Sequence, residues 1–188
     1  MAAAEEAMAE GAENFKGIFR GVLQRRRFMG FSVAGFLIAL AIFIPNLLVL
    51  LFPPEKVPEG LKDSGFIFTL LERTGQIGCL LLLCISKDSF SPLTVNPPFV
   101  LMVLCILAYY SLWTRYVVKG RRFSLLFEPF KFIPIPMAVL PVLAFAFAAM
   151  LGESLWLGAA VVFLAAGHFA NSWHTYTLVR SAAGNTKT

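Results

Sequence analysis

The sequence predicts an all-α integral membrane protein: a bundle of about five hydrophobic helices preceded by an N-terminal interfacial amphipathic helix. Two observations carry that expectation. Of 188 residues, 58% are hydrophobic and only 14% charged, with a mean hydropathy of +0.74. Soluble domains carry about 45–50% apolar and about 25% charged residues. The apolar excess is also gathered into long blocks almost free of charge, as a chain crossing about 30 Å of hydrocarbon requires.

Residues 1–27 read as a polar tail and a basic amphipathic helix. The Ala/Glu-rich start carries no fold signal. Phe15, Ile18, Phe19, Val22 and Leu23 then recur at helical spacing, with Lys16, Arg20 and Gln24 on the other face. Such a helix suits an anionic membrane surface. Arg25, Arg26 and Arg27, followed by Phe28, Met29 and Gly30, resemble a twin-arginine export signal. A cleavable signal has an apolar core of roughly 7–15 residues. Here the uncharged run extends from Phe28 to Pro54, so the arginines read as a basic stop before a spanning helix.

The bundle itself is expected over residues 28–180. The first helix covers 28–52, bent at Pro45-Asn46 and ended by Pro53-Pro54. The second apolar segment, 64–85, carries Glu72, Arg73 and Gln76 in its first half. It reads either as a span or as a segment that dips and returns. A third helix covers about 97–118, with Tyr109, Tyr110 and Trp113 as interface anchors. After a basic connection, 119–131, the prolines at 134 and 136 delay the fourth helix to about 136–151. Its Ala144, Ala148 and Gly152 form a small-residue stripe suited to close helix approach. Gly152-Glu153-Ser154 then turns into a fifth helix, 155 to about 178, making a hairpin, and 181–188 reads as a polar tail.

Orientation follows from lysine and arginine in short loops. With every segment spanning and the N-terminus inside, six basic residues fall inside and nine outside, so the reverse orientation is preferred. If the second segment dips and returns, twelve fall inside and three outside with the N-terminus inside. Both preferred arrangements place the 119–131 loop and the C-terminus in the cytoplasm of a multi-pass cell-membrane protein.

Charge and cysteine usage limit the function. A formal charge of +5 is explained by basic loops at a membrane surface, and no nucleic-acid partner is implied. Cys79, Cys84 and Cys105 lie within apolar blocks and read as small hydrophobes. A phosphate-binding Gly loop, a Gly-x-Ser-x-Gly elbow and a His-Glu-x-x-His motif are all absent. No metal or cofactor is expected.

Ionisable side chains inside membrane helices are costly, so each poses a functional question. Glu72 and His168 are the candidate catalytic residues. Arg73, Gln76, Arg115, Asn171 and His174 are the candidate ligand-binding ones. His168, Asn171 and Thr175 share one helix face at i, i+3 and i+7, with His174 on its flank. Imidazole changes charge near neutral pH and suits a general base or proton carrier. The expected function is a non-enzymatic bundle that binds a lipid or apolar ligand, or that serves as a subunit of a membrane complex. Its partners are then membrane lipids, with a homo-oligomer or a complex partner. The alternatives are an enzyme acting on a lipid-like substrate at the cytoplasmic interface, and a small proton-coupled carrier.

Overall fold

A computed structural model of the chain describes residues 30–55, 57, 64–86, 90, 95–129 and 133–185, with side chains to 181. The N-terminal amphipathic helix expected from the sequence, and the arginine triplet, lie outside the described residues. Five α-helices and no strands are present among those described: α1 Val33–Leu51, α2 Phe66–Ile85, α3 Pro97–Val118, α4 Pro136–Leu151 and α5 Leu155–Asn185. A short 3-10 helix, Phe123–Leu126, lies between α3 and α4. Four of the five, all but α4, are long and apolar enough to cross a membrane.

Local chemistry sets most of the helix ends. Ser32 caps α1 by accepting the Gly35 N–H at 3.0 Å, and Asn96 caps α3 by accepting the Phe99 N–H at 3.0 Å. Prolines occupy the first positions of α3 and α4, where a missing N–H leaves no bond unmade. Ile135, just before α4, has a left-handed φ of 49°, an uncommon conformation for a β-branched residue. The fifth helix runs on to Asn185 rather than stopping near Leu178. Residues 181–185, expected as tail, therefore continue it.

The second segment is long and apolar enough to cross a membrane. Its helix is unbroken, and its last turn joins the start of α1. The Gly30 N–H donates to the Ile85 carbonyl at 3.0 Å and the Ser32 N–H to the Cys84 carbonyl at 2.8 Å. The end of α2 is thus fastened to the start of α1. At the opposite end the Glu55 N–H donates to the Arg121 carbonyl at 2.8 Å, and the Phe123 N–H to the Glu55 carbonyl at 3.1 Å. This ties the chain after α1 to the chain after α3.

Helix α5 packs most extensively on α2, and α4 on α3; the α4–α5 hairpin contact is smaller. Glycine explains the first of these pairings. A Cβ on Gly75 would collide with the Leu164 backbone, and one on Gly167 with the Glu72 backbone. The two helices touch main chain to main chain, as small residues permit in lipid. Helix α4 is the core element, with 10 of its 16 residues buried, Ala144 and Ala148 among them. It is apolar on all sides, as a helix surrounded by protein must be. One core cluster joins Ile42, Leu83, Phe145 and Leu157. A second is aromatic, built on Tyr109, Trp113 and Tyr116 with Met137 and Leu140.

Candidate functional site

The close contact at Gly167 places the second turn of α2 against the middle of α5, and the candidate polar residues meet there. His168 Nδ1 lies 2.7 Å from Glu72 Oε1. The Asn171 amide donates to Glu72 Oε2, and the Ser64 hydroxyl, just before α2, donates to Asn171 Oδ1. An ionised carboxylate only accepts hydrogen bonds, so the imidazole nitrogen facing it carries a proton. The carboxylate therefore fixes the ring, and Nε2 is left without a partner among the described residues. Both side chains are half-buried, with exposures of 23% for Glu72 and 27% for His168.

Asn171 has both ends of its amide engaged, one on α2 and the other on the residue that leads into it. This constellation orients Glu72 firmly. It does not form a ready proton path to Ser64, because an amide is a poor relay. What it offers is an oriented base, the arrangement in which a carboxylate positions imidazole for proton transfer.

The other candidates stand apart. Arg73 is exposed and bonds to none of this group. Gln76 is half-buried one turn further along α2 and bonds to none of this group. Arg115 pairs instead with Glu128, at 2.6 Å. His174 is half-buried, its Nε2 enclosed without a partner, and it does not join Glu72. No group of three metal-binding side chains converges among the described residues.

Three features escape the sequence reading. Ser64 reads only as the start of the second apolar segment, yet it completes the polar constellation. Gly167 reads as part of a polar run, yet it sets the helix contact that brings Glu72 to His168; its place one residue before His168 is the only local signal. The third is an apolar groove of about 250 Å³ beside the constellation. Ile135, Ala138 and Val139 form one wall, and Phe169, Ser172 and Trp173 of α5 the other.

No family model, curated protein or solved structure matches this chain.

Proposed function

We propose that the chain is a multi-pass protein of the cell membrane that binds a lipid, or a similarly apolar ligand, without transforming it. The observation that carries this reading is the groove between the start of α4 and α5, walled almost entirely by hydrocarbon and aromatic side chains. The polar constellation supports it from the other direction. Both oxygens of the Glu72 carboxylate are taken by the chain's own Asn171 and His168, as in a group that joins helices. Native mass spectrometry of the gently purified protein tests the reading. The wild type is expected to retain lipid, and Val139→Trp, which fills the groove, to lose it. An empty wild type bound to another protein would instead favour a subunit of a membrane complex.

For orientation, the 119–131 loop and the C-terminus are placed in the cytoplasm. With α2 crossing alongside α1, nine basic residues gather on that side against six on the other. A reporter enzyme active only outside the cell, fused after Thr188, is expected to stay silent.

A second reading is favoured by one observation, the carboxylate-oriented imidazole. With Glu72 on Nδ1, the Nε2 of His168 is free to take a proton from a lipid-like substrate, which would make the protein an enzyme. Loss of a lipid-modifying activity in both Glu72→Gln and His168→Gln, with folding intact, would establish it over the first.

A further inference from the structure

The groove has one polar feature that its apolar walls do not explain. Ser172 is only 8% exposed, and its hydroxyl has no hydrogen-bond partner among the described residues. Hydroxyls within helices ordinarily donate to a carbonyl one turn back. Others on α5 do so: Thr175 donates to the Asn171 carbonyl at 3.0 Å, Thr177 to that of His174 at 2.7 Å, and Ser181 to that of Thr177 at 3.0 Å. Ser172 makes no such bond to His168. Unlike Trp113 Nε1 and His174 Nε2, its oxygen is not fully enclosed, and the residue lines the groove, so the hydroxyl is open to a partner there.

We propose that Ser172 is the polar anchor of a site for an acyl ester of a bilayer lipid, its hydroxyl donating to the ester carbonyl while the chain lies in the groove. The inference rests on the lipid-binding reading above and adds the chemical class of the ligand. Three observations lead to an ester. Among the described residues, the indole of Trp173 is the only other wall side chain with a polar atom, and an indole N–H donates but does not accept. The Ser172 hydroxyl can donate or accept, so a carbonyl oxygen, which only accepts, is a group that either side chain can meet. The volume, about 250 Å³, is below the roughly 300–1,000 Å³ of sites that enclose a drug-sized molecule, so it suits part of one chain.

The third observation is depth. Ala138 and Val139 lie in the first turn of α4, and Asn171, beside Ser172, bonds to Ser64 just before α2. Two helices thus begin at the level of Ser172. Helix ends and a wall tryptophan mark the membrane interface, which is where acyl ester carbonyls sit, immediately beneath the headgroups.

The test uses the full chain reconstituted in vesicles of equal parts diester and diether phosphatidylcholine with matched chains. The two lipids differ in the carbonyl, and native mass spectrometry of the released protein counts each. The wild type is expected to retain the diester about fivefold over the diether, the preference of one neutral hydrogen bond. Ser172→Ala is expected to retain lipid with the ratio reduced to unity, and Ser172→Thr, which keeps the hydroxyl, to preserve it. Equal retention of both lipids by the wild type would overturn the anchor while leaving the groove. No retention at all, or unchanged retention in Val139→Trp, would overturn the lipid-binding reading itself. If Ser172→Ala fails to fold, the wild-type ratio still decides whether the carbonyl is recognised.

Discussion

The two ends of the bundle are held together by different chemistry. Where α1 begins and α2 ends, the ties are main-chain bonds from Gly30 to Ile85 and from Ser32 to Cys84, with Gly152 of the α4–α5 turn against the Phe90 ring. At the other end, charged and polar side chains do much of the joining. Arg115 pairs with Glu128, Arg121 with Glu55, and His168 with Glu72. The Tyr116 hydroxyl donates to the Phe52 carbonyl at 3.0 Å and the Tyr109 hydroxyl to Asn46 Oδ1 at 2.5 Å. Main-chain bonds between neutral groups respond little to salt, whereas exposed ion pairs are screened by it. Every candidate functional group, and the groove, lies toward the charged end.

Substitutions graded by expected effect test this division. The largest effect is expected where the helices touch. Gly167→Leu places a side chain against the Glu72 backbone and should cost about 3 kcal/mol, read as a lower melting temperature in detergent. An unchanged melt would mean that α2 and α5 are not in main-chain contact. Ala148→Leu, at a fully buried position of α4, should cost about 2 kcal/mol by the same measurement. A neutral result would place the Ala144–Ala148–Gly152 stripe against lipid.

Smaller effects distinguish the two ends more sharply. A double-mutant cycle of Glu72→Gln and His168→Gln is expected to give a coupling of about 1 kcal/mol. In Glu72→Gln, the ¹⁵N shifts of the His168 ring should also report a redistribution of the proton between Nδ1 and Nε2. Additive effects with unchanged shifts would show the groups to be independent. At the neutral end, Ser32→Ala removes the α1 cap at about 1 kcal/mol and should do so equally at low and high salt. The smallest effect is expected for Arg121→Ala, about 0.5 kcal/mol at low salt and none in 1 M salt, because the Glu55 pair is exposed. Salt dependence at Ser32 rather than at Arg121 would reverse the comparison.

Much of the fold is legible in the sequence, because prolines and apolar length mark its elements. Pro97 and Pro136 open α3 and α4 at the expected residues, and the apolar block after Ser64 becomes α2. The far end of α5 is harder to read. Residues 181–185, Ser-Ala-Ala-Gly-Asn, have no large apolar side chain, and that lack marks the end of the apolar block as readily as it marks the end of a helix. Half of the site is legible for a related reason. His168 and Asn171 share a face through the helical period, a local property. Their meeting with Glu72 is not local: it depends on α2 docking on α5 across nearly a hundred residues, through glycines whose spacing carries no partner's address. Of the others plausible by the same reading, Gln76 makes no bond to this group and Arg115 pairs with Glu128. Ser172 has no signal in the sequence, since only the groove makes its hydroxyl unusual.

The lengths of the hairpin helices have a consequence for the surrounding bilayer. Helix α4 has 16 residues and α5 has 31, or about 24 Å and about 46 Å at 1.5 Å per residue. A hydrocarbon slab about 30 Å thick cannot match both. The longer helix must tilt or project, while the shorter spans less of the slab than its neighbours do. Mismatch of this kind is met by tilting or by local thinning of the bilayer, and it favours membranes of particular thickness. The stability of the bundle should therefore vary with the acyl chain length of its host bilayer, and be greatest where the chains are short.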